Sequence, residues 1–193
     1  MKVSPGPVVS FWEVFPERGT QVSKVKTIVD DIANVLAYSL KTGDCRIICP
    51  IPGKGTIGVE IPVKNQKYVM FNAAVSTDAF RNAEMELPIA FGVQADGQPL
   101  VMDLTKVPHI LITGDCGMPP TNIQHVIIDS LLCKKTPYDL KLVMIDTSKV
   151  FFAEYSGITD YLATPENIKD TIVDNVDDAV ATKESLCTLM DLR

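Results

Sequence analysis

One segment of the chain constrains its fold more than any other, because it follows the order strand, loop, helix, strand. The run 109–113 is apolar and β-branched, as in a buried strand, and a glycine-containing loop follows it. A helical periodicity covers 122–133, and a second apolar run, 140–145, ends at Asp146. This order is typical of a parallel sheet with a right-handed crossover, so an α/β fold is predicted.

Local sequence patterns predict helices, strands and turns in the rest of the chain. The apolar spacing from Val22 to Leu36 predicts a helix, and clusters of Gly, Pro and Asp mark tight turns between apolar runs. The predicted strands are 8–15, the hairpin pair 46–51 and 56–61, and the hairpin pair 89–93 and 100–104. A capped short helix is predicted from Ser76, and a long helix over 167–192. The predicted inner face of that last helix comprises Ile168, Ile172, Val176, Val180, Leu186 and Met190.

The loop after the run 109–113 has the outline of a phosphate-binding loop. In the pattern G-x-x-x-x-G-K-[ST], backbone N–H groups face the phosphates, the lysine neutralises their charge, and the hydroxyl holds Mg²⁺. Residues 114–121 read GDCGMPPT, so Gly114 and Thr121 occupy the first and last positions of the pattern, with Gly117 between them. Prolines stand at 119 and 120, where the second glycine and the lysine belong.

Both prolines weaken the expected site. Proline has no backbone N–H, so two donors and the one cation of the cradle are lost, and Asp115 adds a negative charge. A charge-assisted contact to phosphate is worth about 1.5–3 kcal/mol, so the losses predict a fall from micromolar to millimolar affinity for nucleotide. The alternative is a plain loop that enters a helix, where proline in the first turn is favourable without any ligand.

A glycine-lysine string that could suggest another phosphate loop occurs at 53–56. The phosphate pattern would need glycine at position 48, which is Ile48, and Gly55 follows the lysine where Ser or Thr belongs. We therefore predict an ordinary hairpin turn there.

Composition excludes several classes of protein. The net charge of −6 argues against a free-standing DNA binder, which carries a surplus of Lys and Arg. The five cysteines form no C-x-x-C pair, and Cys45 and Cys49 with His109 or His125 lack zinc-finger spacing, so reduced cysteines and no metal are expected. No apolar run approaches the roughly 20 residues that span a bilayer, and the N-terminus lacks the apolar core of a signal peptide, so a cytoplasmic location is expected.

Six strings along the chain occur in the order found in a known family. They are GPVV at 6–9, IPGKGTIGVEIP at 51–62, LPIAFG at 87–92, DLTKVPHILITG at 103–114, LVMID at 142–146 and LCTLMD at 186–191. Together they resemble the motor region of the FtsK/SpoIIIE family of bacterial DNA translocases over nearly all of the chain. The resemblance implies a small α/β domain over 1–88, and the first part of a RecA-like (P-loop NTPase) parallel-sheet domain over 89–193.

Members of that family form ring-shaped hexamers that bind ATP and Mg²⁺ between subunits and thread double-stranded DNA through the centre, in chromosome segregation or DNA transfer. This sequence departs from their pattern in three places. It has MPP at 118–120 for the family's SGK and DTSK at 146–149 for DPK, and the acidic strand with the family's catalytic and metal-linked carboxylates would lie beyond Arg193. Of the loop positions, Gly114, Gly117 and Thr121 match the motif, as a vestigial phosphate loop. No catalytic residue, bound cofactor or metal is therefore expected, and the family's DNA-contacting loops are not among these residues.

The departures leave three functions open. The first is a translocase relative with a degenerate ATP site, without ATPase activity by itself, that acts through contacts with itself or with an FtsK-like paralogue. The second is a portion of an ATP-dependent DNA-translocating motor, completed by residues or chains not present here. The third is a gene remnant without a selected role. A sheet cut after two or three strands would leave an open edge, which predicts self-association or coverage by the C-terminal helix.

Overall fold

The computed structural model describes residues 1–17, 19–20, 24–25, 27–41, 44–107, 109–114, 121–163 and 172–192. The chain divides into two compact units, Met1–Leu111 and Ile112–Arg193. The elements of the first unit are β1 (Lys2–Pro5), β2 (Val9–Val14), α1 (Val29–Leu40), β3 (Arg46–Ile48), β4 (Ile57–Pro62), α2 (Phe71–Val75), α3 (Asp78–Arg81), β5 (Pro88–Val93), β6 (Pro99–Asp103) and a 3-10 turn (Leu104–Lys106). Those of the second are α4 (Thr121–Lys134), two 3-10 turns (Ala153–Gly157 and Thr159–Tyr161) and α5 (Val176–Asp191).

The first unit is built on a four-stranded antiparallel sheet in the order β1-β2-β4-β3. Strand β4 is central, since it pairs with β2 from Val14↔Ile57 to Val9↔Pro62 and with β3 on its other side. The β3–β4 pairing confirms the hairpin predicted over 46–61. Strand β1, which the sequence did not predict, pairs with β2 at the edge.

Helix α1 connects β2 to β3 and confirms the helix predicted in this region. It ends at Leu40, where Lys41 takes a left-handed conformation with φ of 51° and donates its N–H to the Ala37 carbonyl. Leu36 and Leu40 face the sheet across an apolar cavity of about 430 Å³, which Trp12 also lines.

A second hairpin, β5 with β6, carries the buried core of the first unit. Ala74 of α2, Phe80 of α3 and Ala90 of β5 form this core. Thr77 caps α3 by accepting a hydrogen bond from the Phe80 N–H, as the sequence predicted for this short helix. The two predicted hairpin strands are both confirmed.

The second unit has less regular structure. Around the predicted strand 140–145, two isolated parallel bridges join Leu142 to Leu162 and Ile145 to Val173. Helix α4 confirms the helix predicted over 122–133. None of the described helices is long and apolar enough to cross a membrane.

The parallel sheet predicted for a RecA-like domain is not observed among the described residues. The two sheets that the described residues form are antiparallel, and both lie in the first unit. The run 109–113 forms no strand, and Leu111 is 90% exposed. An apolar β-branched run can form a strand only where another strand supplies hydrogen bonds, and the described residues supply none for it. The domain boundary near residue 88 stays a prediction.

The predicted inner face of the last helix is wrong for most of its described members. Helix α5 begins at Val176, not 167, and Val176, Val180 and Met190 are exposed while Thr182 is fully buried. Ile168 lies outside the described residues. Leu186, another predicted member, lines a cavity within the unit, so the apolar periodicity combined residues of two different faces.

Candidate functional site

The predicted phosphate loop, residues 114–121, is described only at its two ends. Gly114 is an exposed residue without regular structure, and Thr121 is the half-buried first residue of α4. Gly117 and both prolines fall in 115–120, outside the described residues. The helix predicted after the loop is therefore present, although the run 109–113 before the loop forms no strand.

Helix α4 is held against its unit by a polar cluster around the buried Tyr155. Tyr155, which is 6% exposed, donates its hydroxyl proton to Asp129 Oδ1 at 3.0 Å. The Tyr155 hydroxyl oxygen itself lies 2.9 Å from His125 Nδ1, so it accepts a hydrogen bond from the Nδ1–H tautomer of His125. His125 Nδ1 also lies 3.1 Å from Glu154 Oε1, and its ring stacks on the Tyr155 ring. The cluster ties the 3-10 turn Ala153–Gly157 to the helix that follows the loop.

The environment of Tyr155 keeps its hydroxyl protonated. Burial raises the pKa of the phenol well above its ordinary value, and the negative charge of Asp129 raises it further. The hydroxyl therefore remains a donor at every physiological pH. Only the i, i+4 spacing of His125 and Asp129 is a local signal for this cluster, because Tyr155 lies 26 residues after Asp129.

Asp146, the acidic residue that ends the run 140–145, is occupied by donors from its own chain. Its Oδ1 accepts hydrogen bonds from the Ser148 hydroxyl and N–H, and its Oδ2 accepts from the N–H groups of Phe151 at 2.7 Å and Phe152 at 3.1 Å. The Ser148 hydroxyl, with these backbone donors, lowers the pKa of the Asp146 carboxyl although burial opposes the shift. The carboxylate fixes the turn after the run, and a metal ion would have to displace these donors.

Lys149, the lysine of the DTSK string, is also engaged. Its Nζ lies 2.7 Å from Asp174 Oδ2, and its hydrogen bond lowers the pKa of the Asp174 carboxyl. A carboxylate of the same unit thus neutralises this cation.

The glycine-lysine string at 53–56 lies in the turn of the β3–β4 hairpin. Glu13, a buried carboxylate on β2, accepts a hydrogen bond from the Thr56 hydroxyl at 2.8 Å and lies 3.4 Å from Lys54 Nζ. The Thr56 hydroxyl lowers the pKa of Glu13. Lys54 and Thr56, which resemble the last residues of a phosphate loop in sequence, thus contact a carboxylate of their own unit. The β3–β4 pairing on either side confirms the predicted hairpin.

Potential metal ligands do not gather in the described part of the chain. No group of three or more His, Cys, Asp or Glu side chains that could hold an ion occurs there. Cys45 is buried and Cys49 half-buried in the first unit, while the described cysteines of the second unit, Cys133 and Cys187, are exposed.

Comparison with known proteins covers both parts of the chain. Residues 71–193 match the model of the FtsK/SpoIIIE family, and residues 1–63 match that of the FtsK alpha domain. The chain is 39% identical over 163 residues to the DNA translocase SftA of Bacillus subtilis, covering 84% of this chain and 17% of that protein. It is 40% identical over 162 residues to the DNA translocase FtsK of Clostridium acetobutylicum, and the match covers 84% of this chain and 21% of that protein. It is 33% identical over 190 residues to the DNA translocase FtsK of Chlorobaculum tepidum, and the match covers 97% of this chain and 23% of that protein. The chain thus spans about a fifth of the length of these curated relatives.

Proposed function

Because the chain belongs to the FtsK/SpoIIIE family, we propose that it is a DNA-translocase relative with a degenerate ATP site, which does not hydrolyse ATP by itself and acts through protein contacts. The partner is a second copy or an FtsK-like paralogue. The observation that carries this proposal is the pair of prolines at 119 and 120, between the retained Gly114 and Thr121.

ATP and Mg²⁺, which the family implies, do not fit the donors present in this loop. A phosphate cradle works through consecutive N–H groups and a lysine, and the two prolines supply neither. Each lost charge-assisted contact is worth about 1.5–3 kcal/mol, so a site of micromolar affinity would become millimolar. The acidic residue Asp146 and the cation Lys149, which follow the run 140–145 in sequence, are already engaged within their unit.

The distribution of charge supports protein contacts over DNA contacts. Residues 112–193 contain 13 acidic and 7 basic side chains, whereas residues 1–111 contain 11 of each. The second unit is therefore acidic, and an acidic surface repels the DNA backbone.

Mixing experiments with an intact family motor test this proposal. The chain should co-assemble with the motor in size-exclusion chromatography with light scattering, and should change the ATPase rate of the motor. The chain alone should hydrolyse no ATP. If the chain neither co-assembles nor changes that rate, the proposal is wrong.

A second candidate is a portion of an ATP-dependent DNA-translocating motor that other residues or chains complete. The observation that favours it is the short span of the match, about a fifth of each relative. This candidate predicts measurable binding of ATP or DNA. Calorimetry without heat at millimolar Mg-ATP, together with no DNA retention at low salt, would exclude it.

A further inference from the structure

Helix α5 carries side chains with different surroundings on two faces. On the inner face, Thr182 is fully buried, and Leu186 and Leu189 line an apolar cavity of about 370 Å³. Val143 and Ala163 line the same cavity. This face attaches the helix to its own unit.

The other face points to solvent although much of it is apolar. Val176, Val180 and Met190 are 67%, 53% and 74% exposed, and Cys187 is exposed as well. With Lys183, these residues follow one another in steps of four, three, four and three positions, which is the spacing of a coiled-coil seam. A surface helix of a monomer normally turns such a row toward its core. The outward row is therefore suited to a partner helix.

Acidic residues follow the seam at a fixed spacing. Asp177, Glu184 and Asp191 lie seven residues apart, each directly after a seam residue, and all three are exposed. In a coiled coil these are flanking positions that contact charged side chains of the partner. The flank on the other side of the seam, at Ala179 and Leu186, is uncharged.

A second copy of the chain fits this face poorly in either direction. In a parallel pair, Lys183 would lie opposite its own equivalent, and the acidic row would face the uncharged flank of the other copy. In an antiparallel pair, the two acidic rows would face each other. Like charges in such positions oppose association.

We propose that the outward face of α5 binds an amphipathic helix of another protein, one with an apolar seam and Lys or Arg at the positions that face Asp177, Glu184 and Asp191. Lys183 sets the register, because a single polar residue in a seam fixes the alignment of two helices. This inference rests on the proposed function in one respect: the proposed function requires contacts with a protein, and the inference assigns those contacts to the outward face of α5. Co-assembly and ATPase measurements are separate from its test, so either can fail while the other holds.

Two synthetic heptad peptides with identical apolar seams provide the test. One peptide carries Lys at both flanking positions and the other carries Glu. Each peptide is labelled with a fluorophore and titrated with the full 193-residue chain, and binding is followed by fluorescence anisotropy. The Lys peptide should bind about tenfold or more tightly than the Glu peptide, since three charge pairs change from attraction to repulsion. The difference should shrink at high salt, because exposed charges are screened.

Charge reversal on the helix makes the test reciprocal. The variant Asp177→Lys/Glu184→Lys/Asp191→Lys should bind the Glu peptide more tightly than the Lys peptide. The variant Val180→Ser/Met190→Ser should bind both peptides more weakly than the wild type. A control with the same change in net charge, Glu17→Lys/Asp31→Lys/Glu84→Lys in the first unit, should keep the preference of the wild type. Circular dichroism confirms that each variant is folded.

Several outcomes would overturn the proposal. They are absence of binding, equal affinity of the wild-type chain for both peptides, or an unchanged preference in the reversed variant. A concentration-dependent dimer in light scattering that Val180→Ser/Met190→Ser abolishes would identify a second copy as the occupant instead. The wild-type peptide comparison stands even if a variant fails to fold.

Discussion

Removing the hydroxyl of Tyr155 tests whether the polar cluster on α4 holds the second unit together. The change Tyr155→Phe keeps the ring, whose centroid lies 5.6 Å from that of His125 and 6.3 Å from that of Phe152. It deletes only the hydrogen bonds to Asp129 and from His125. Any loss of stability therefore reports on these two bonds and not on packing.

The size of the effect follows from the charges involved. A hydrogen bond to a charged group such as Asp129 is worth about 1.5–3 kcal/mol, and one between neutral groups about 0.5–1.5 kcal/mol. Asp129 and His125 are half-buried, so water can replace part of what the hydroxyl provided. We expect Tyr155→Phe to lower the free energy of unfolding by about 2 kcal/mol.

Two other tyrosines of the same unit provide matched controls. Tyr161 donates its hydroxyl to the Lys135 carbonyl at 2.8 Å, so Tyr161→Phe should cost about 1 kcal/mol. Tyr138 is 99% exposed, so Tyr138→Phe should leave stability unchanged.

Urea unfolding at pH 7, followed by far-ultraviolet circular dichroism, measures all three variants. A double-mutant cycle with Asp129→Ala should give a coupling free energy of about 1–2 kcal/mol between Tyr155 and Asp129. If Tyr155→Phe behaves like Tyr138→Phe, or if the coupling vanishes, then the cluster does not stabilise α4 and the reasoning is wrong.

Three further predictions concern the loop, the carboxylates and the core. Pro119→Gly/Pro120→Lys should recover nucleotide binding in calorimetry but no hydrolysis, since the family's catalytic and metal-linked carboxylates are not expected among these residues and Asp146 is held by its own turn; observed turnover would contradict this. The pKa of Asp146 is lower in the folded chain than the roughly 3.9 of an unfolded Asp, so its stabilising effect is complete above that value and is lost as pH falls through the folded pKa. The urea concentration at the unfolding midpoint should therefore fall as the pH is lowered, and it should fall less steeply in Asp146→Asn than in the wild type. An equal pH dependence in both proteins would show that Asp146 does not stabilise the fold in this way. Thr182 is fully buried and its hydroxyl has no hydrogen-bond partner in the described part of the chain, so Thr182→Val should raise the free energy of unfolding by about 1 kcal/mol; a loss of stability would reveal an unseen partner.

The elements that local chemistry determines could be predicted from the sequence. The β5–β6 hairpin follows from its turn, where Gly97 has φ of 82° and the Gln94 N–H binds the Gln98 carbonyl. The cap at Thr77 depends on its own side chain and on residues directly after it. These contacts span few residues, so the sequence pattern contains them.

Features that depend on distant partners could not be predicted. The run 109–113 has the composition of a buried strand, but burial requires a neighbouring strand, and a periodic pattern cannot supply one. Helix α5 shows the same limit, since its pattern identified apolar residues without indicating whether their own unit or another protein covers them. For the candidate site, the substitutions at 119 and 120 are readable in sequence, whereas the engagement of Asp146 by the N–H groups of Phe151 and Phe152 is a property of the fold.

The central position of β4 has a consequence for how the first unit assembles. Val9 of β2 pairs with Pro62 of β4, so the ladder that joins the middle of the sheet closes a loop of about fifty residues, which includes α1 and β3. Contacts between residues so far apart in sequence form slowly, because the closure entropy is lost before they stabilise the chain. Among the described strands, β3 pairs only with β4. A nascent chain that ends before Ile57 can therefore form only the β1–β2 hairpin of this sheet.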